Sequence, residues 1–265
     1  MIRHPLGLRL APDRSIRDQI LEAARMGARG VVFDAIGELA PHRLGETGRR
    51  DLRRLLQTAE LSLVALGLPV RRAFDTTDQL DERVRRADQA FAMAYELGTN
   101  LVLAQVGPVP PQEESSRRDL FTMAVRTLGS RADHRGVRLA VEAANQPGEH
   151  LRALLDSLDM IGLAASIDPS SLIRAGIDPI STTRELAQWV AHAYAPDGSG
   201  RPLGSPQPHR IGFVPGVLDW EEYLGALEEI SYCGFLTVWP DPADDPRAQF
   251  TALQLRLERL SRACD

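Results

Sequence analysis

A chain of 265 residues with a formal charge of -5 and a pI near 5.7 can bury one large core. It has the size of a single (β/α)8 barrel and lacks the basic surface that a nucleic-acid backbone requires. All 31 of its lysine-plus-arginine count are arginine, which excludes Schiff-base aldolase, pyridoxal phosphate (PLP) and Walker-type phosphate chemistry, because each needs a lysine amine.

The elements follow in order. Leu6-Gly-Leu-Arg-Leu10 reads as a first strand, and Ser15 with Asp18 forms a capping box for a helix that turns Ile16, Ile20, Ala23 and Ala24 to one face. Gly27 and Gly30 end it. Val31–Asp34 is a second strand closing on an acid, a helix spans about 48–60, and Leu61–Leu66 is a third strand closed by Gly67 and Pro69. A helix from Thr77 to Leu97 ends at Gly98, and Leu101–Val106 is the fourth strand, followed by a helix through Leu120, Met123, Ala124 and Leu128. Val137–Glu142 is the fifth strand. A helix over 149–158 leads to the sixth, Gly162–Asp168, and one helical segment through Ile173 and Leu186 leads to the seventh, Trp189–Tyr194. Residues 195–218 carry prolines and glycines without a period and read as a functional lid or a disordered insertion. Asp219 then caps a helix, Phe235–Trp239 is the eighth strand, and Phe250, Leu253, Leu257 and Leu260 mark the last helix.

Eight short apolar strands alternating with helices predict a (β/α)8 TIM barrel, one domain over 1–265, with its site at the C-terminal strand ends. An open doubly wound sheet is the competing arrangement. It is disfavoured because no Gly-x-Gly-x-x-Gly follows the first strand, which also argues against NAD. The strand-end residues to inspect are therefore Asp34, Gln105, Glu142, Asp168, Tyr194 and Trp239. Glu142 and Asp168 stand out, each ending an apolar run at a turn, and each could equally be a helix cap. Cys233 and Cys264 lack the spacing of a zinc or redox pair. With no leader-like N-terminus and no apolar run of about 20 residues, the expectation is a cytoplasmic protein without a membrane partner.

Several runs resemble a known family: Ala140-Val-Glu142, Ser166-Ile-Asp-Pro-Ser-Ser-Leu172, Val190-Ala-His-Ala-Tyr-Ala-Pro-Asp197, Gly216-Val-Leu-Asp-Trp220 and Tyr232-Cys-Gly-Phe-Leu-Thr-Val238. Together they are similar to the xylose isomerase-like TIM barrels, a superfamily of sugar isomerases and epimerases, related dehydratases and type IV endonucleases. In the epimerase branch a divalent metal is held by acids ending strands five and six, a histidine on strand seven and a glutamate ending strand eight. The resemblance implies Glu142 and Asp168 as the first two ligands. Tyr194 and Trp239 stand at the other two positions, and an indole can neither coordinate a cation nor accept a proton. His192, two residues before Tyr194 on the same strand face, fits a packed core histidine better than a replacement ligand.

The resemblance thus implies a sugar or polyol isomerase/epimerase-like protein that moves a proton next to a carbonyl. Glu142 would be its acid/base group, with Mn2+ or Mg2+ held weakly by Glu142 and Asp168 or not at all. Tyr194, Trp239, His192, Gln105, Asn145, His209 and Arg210 are candidate substrate-binding residues. The alternative is a non-catalytic barrel that has lost its metal and binds a sugar-like ligand or a protein partner. A repair endonuclease would need many clustered metal ligands and a basic face. Homo-oligomerisation is left open by the sequence.

Overall fold

The computed structural model describes residues 4–143, 146–196, 218–240 and 245–263. Eight parallel strands close into one barrel in strict chain order: β1 (Leu6–Arg9), β2 (Gly30–Asp34), β3 (Ser62–Gly67), β4 (Leu101–Ala104), β5 (Arg138–Ala143), β6 (Leu163–Ile167), β7 (Val190–Ala195) and β8 (Leu236–Val238). Helices lie between them: α1 (Ile16–Arg25), α2 (Glu46–Thr58), α3 (Leu80–Leu97), α4 (Ser115–His134), α5 (Gly148–Leu158), α6 (Pro169–Arg174), α7 (Pro179–Glu185), α8 (Trp220–Glu229) and α9 (Pro246–Ala263). No helix among the described residues is long and apolar enough to cross a membrane.

The strands read as continuous apolar runs because both of their faces are covered. Val32, Ala65, Leu103, Ala140, Ala164 and Tyr194 pack inside the barrel. Leu8, Val31, Phe33, Val102, Leu139 and Ile167 face outward, in one cluster with Ile20, Phe91, Leu128, Leu155 and Leu227 of the helices. Alternation therefore fixes what reaches the mouth. A strand that buries Val32, Ala65 or Ala140 inside carries Asp34, Gly67 or Glu142 on the same side two residues later.

Helix boundaries follow their caps. The Ser15 hydroxyl accepts from the Asp18 amide at 3.4 Å, and the Asp219 carboxylate accepts from the Glu222 amide at 3.1 Å. α3 begins three residues later than Thr77, because Gln79 adopts φ 51° and cannot belong to a right-handed helix. The single segment expected between β6 and β7 is two helices. Gly176, at φ 73°, ends the first, and Asp178 caps the second through the Ile180 amide. Of the apolar residues of α4, Met123 faces solvent, 55% exposed.

Gly162, just before β6, shows how close the helical layer lies. A Cβ there would overlap the Gly129 carbonyl and stand 2.8 Å from the Asp133 amide nitrogen. Both contacts are backbone and cannot swing away. Gly162→Ala is expected to lower stability by about 1–3 kcal/mol, read as a lower urea midpoint at unchanged m-value.

Candidate active site at the C-terminal barrel mouth

The inward positions at the upper ends of the strands converge. The buried guanidinium of Arg9, from β1, lies at their centre, its side chain 9% exposed. Its Nη2 donates to Asp34 Oδ1 at 2.6 Å, and its Nη1 donates to the Tyr194 hydroxyl. Nη1 also lies 3.8 Å from Glu142 Oε1. Trp239 covers the guanidinium, with the central carbon 3.9 Å from the ring centroid. A side chain on Gly67 of β3 would overlap Asp34 Oδ1, so the missing Cβ makes room for the Arg9–Asp34 pair.

Burial opposes the charge on Arg9. The facing oxygens of Tyr194, Asp34 and Glu142 outweigh it and hold the guanidinium pKa above its ordinary value. A flat cation over an indole, two hydrogen bonds and two carboxylates together meet the cost of taking it out of water.

Glu142 is 8% exposed at the end of β5. It accepts from the Tyr194 hydroxyl at 3.3 Å and is hydrogen-bonded by Gln105. Burial pushes its carboxyl pKa up. Arg9 and the two hydrogen bonds pull the other way, and the nearby Asp168 adds to the rise. Tyr194 is a neutral phenol, raised well above the ordinary tyrosine range by burial and by Glu142.

Asp168 is engaged locally. Its Oδ1 accepts from the Ser170 amide at 3.0 Å and its Oδ2 from the Ser171 hydroxyl at 2.5 Å, so it caps α6. It also lies close enough to Glu142 to raise that carboxyl's pKa.

His192 is fully buried beneath Tyr194, ring centroids 4.5 Å apart and edge-on. Its ring nitrogens lie 2.9 Å from the hydroxyls of Ser166 and Thr237. Burial first, and Arg9 second, lower its pKa to about 3, so it is neutral. Asn145, His209, Arg210 and residues 197–217 of the candidate lid fall outside the described residues.

Sequence reasoning missed Arg9, Gly67, Ser166 and Thr237. The signal for Arg9 was present: a lone charge in Leu-Gly-Leu-Arg-Leu, two residues after Gly7 and hence on the same face. Trp189 and Trp220 pack outside the barrel, and the Trp189 Nε1 donates to Asp156 at 2.7 Å. A cleft of about 440 Å3 at the opposite end, lined by Leu63, Tyr95, Leu101 and Phe235 among others, holds none of these groups.

Closed parallel topology with helices between the strands defines a (β/α)8 barrel, and its inward polar side chains gather at the C-terminal strand ends. The model of the xylose isomerase-like TIM barrel family matches residues 20–257, and the chain belongs to that family. No curated protein sequence matches it. Among solved structures it is similar to a xylose isomerase domain protein from Planctomyces limnophilus (19% identity, 97% of this chain and 96% of that one, TM-score 0.79). A D-tagatose 3-epimerase-like protein (17%, 98% and 100%, 0.77) and the 3-keto-D-glucoside 4-epimerase of E. coli (13%, 97% and 99%, 0.73) are also similar. At these identities the likeness is one of fold.

The neutral His192 generates a prediction. Below its ordinary value near 6.5 the unfolded chain takes up a proton that the folded chain refuses until about pH 3. This contribution is complete above pH 6.5 and is lost as pH falls, by about 1.4 kcal/mol per pH unit. His192→Gln, which keeps a polar group near Thr237, is expected to flatten the pH dependence of urea unfolding below pH 6.5.

Proposed function

We propose that the protein moves a proton next to the carbonyl of a sugar or polyol-derived substrate, with Glu142 as the acid/base group. The observation that carries this reading is the setting of Glu142. It is a buried carboxyl at the end of β5, hydrogen-bonded by Tyr194 and Gln105, with its pKa raised by burial. The sugar epimerases named among its structural relatives support the substrate class.

The geometry favours one base over two. Trp239 occupies the end of β8 and accepts no proton, and both oxygens of Asp168 are bound by Ser170 and Ser171. A single carboxylate can take a proton from the hydroxyl-bearing carbon and return it to the neighbouring carbonyl carbon on the same face, while the hydroxyl proton passes to the former carbonyl oxygen, as in aldose–ketose isomerisation. Inversion at one carbon calls for a second group on the opposite face. Isomerisation is therefore the better reading. Trp239, 43% exposed and packed on Tyr194 with ring centroids 5.4 Å apart, offers an aromatic surface for the apolar face of a sugar ring.

A second reading rests on the mutual pairing at the mouth. Arg9, Asp34, Tyr194 and Glu142 satisfy one another, which suits a barrel that binds a sugar-like ligand without turnover.

Incubation with aldoses and ketoses in D2O separates the two. Solvent deuterium is expected to enter the carbon next to the carbonyl, seen by NMR, and Glu142→Gln is expected to slow this by about 10²- to 10⁴-fold. Saturable ligand binding by thermal shift without exchange would establish the second reading. The stability of the same variant checks the carboxyl's environment. A raised pKa stabilises the fold at low pH and loses that contribution as pH rises through it. Relative to the unsubstituted protein, Glu142→Gln should therefore gain thermal stability as pH is raised above the ordinary carboxyl value.

A further inference from the structure

The donor set at the mouth does not suit a divalent cation. Among the described residues no group of three or more His, Cys, Asp or Glu side chains is placed to hold a metal ion. Tyr194 is a buried neutral phenol, Trp239 has no lone pair to offer, and Asp168 is turned to the start of α6. The remaining acids, Glu142 and Asp34, already face a cation of the protein's own.

We infer that the Arg9 guanidinium is a built-in substitute for a metal ion, and that it makes this barrel mouth metal-independent. Arg9 touches Glu142 at 3.8 Å, Tyr194 by a hydrogen bond and the Trp239 ring at 3.9 Å. It thus meets the inward strand-end residues of β5, β7 and β8, while Asp34 of β2 anchors its other nitrogen at 2.6 Å. A metal ion brought into the same space would lie beside a fixed positive charge with its carboxylates already engaged. A guanidinium also matches these neighbours better than a small ion does. It presents a planar fork of donors to Asp34 and Tyr194 and a flat face to an indole, and both features require a delocalised, weakly hydrated cation. Gly67 belongs to the same arrangement, because any side chain there would overlap Asp34 beside the guanidinium.

Arg9 is on this view a positioning residue. It donates to the Tyr194 hydroxyl, which donates in turn to Glu142, and so holds the carboxyl in one orientation. The inference rests on the place given to Glu142 above, but not on turnover.

Its test uses the full chain with Mn2+ as the probe and reads binding and melting, not activity. The unsubstituted protein is expected to leave the EPR signal of free Mn2+ undiminished and to melt at the same temperature with millimolar Mn2+ or with EDTA. Arg9→Met, which keeps the bulk and removes the charge, is expected to gain at least about tenfold in Mn2+ affinity and to be stabilised by the metal, since two buried acids lose their counter-charge. Stoichiometric Mn2+ on the unsubstituted protein would overturn the inference, as would a folded Arg9→Met that binds no better. Should Arg9→Met fold poorly, refolding with Mn2+ decides: recovery of folded protein supports the substitution of guanidinium for metal, and no recovery overturns it. Absent deuterium exchange in a metal-free protein would remove the catalytic reading alone.

Discussion

A buried positive charge organises the mouth of this barrel. Taking a guanidinium out of water is costly, and an unpaired one would not survive in a site that is 9% exposed. Everything around Arg9 can be read as a response to that cost. Asp34 supplies a carboxylate in direct contact, Glu142 a second at longer range, Tyr194 an acceptor oxygen and Trp239 a π-face. Gly67 gives up its side chain so that the pair can close. Each neighbour comes from a different strand, so the arrangement ties β1 to β2, β5, β7 and β8 at the end where no β-ladder continues.

The same charge controls the chemistry available to its neighbours. By standing beside His192 it reinforces the effect of burial and keeps that imidazole neutral, which suits a histidine shared between the hydroxyls of Ser166 and Thr237. On Glu142 it acts in the opposite sense. It opposes the rise that burial imposes, and burial prevails, so the carboxyl holds its proton more firmly than usual. Burial on one side, and Arg9 with two neutral hydrogen bonds on the other, thus act on one titratable group in opposite senses. Asp168 is held aside by α6, so Glu142 has no free carboxylate partner among the described strand ends.

Much of this could be read in the chain. Alternating apolar strands and amphipathic helices, cut by Gly27, Gly98 and the caps at Ser15 and Asp219, specify eight strands within a residue or two, because burial on both faces leaves a run of apolar residues that composition alone reveals. Glu142 and Asp168 were visible for the complementary reason: each breaks such a run at its end. Helix starts were less legible. Gln79 takes a left-handed conformation that its side chain does not advertise, and Gly176 divides one apparent helix into two.

What the sequence determined by itself is the barrel and the ring of strand ends, since period-two alternation needs only local order to say which residues face inward. What tertiary structure alone decided is who meets whom across the ring. Arg9 and Tyr194 are 185 positions apart, Tyr194 and Glu142 are 52 apart, and no local pattern links them. Closure of β1 against β8 brings the first strand's arginine under the last strand's tryptophan. Only there does the lone charge of the first strand become a paired, buried cation, because pairing, stacking and exclusion of water exist only once the ring is closed.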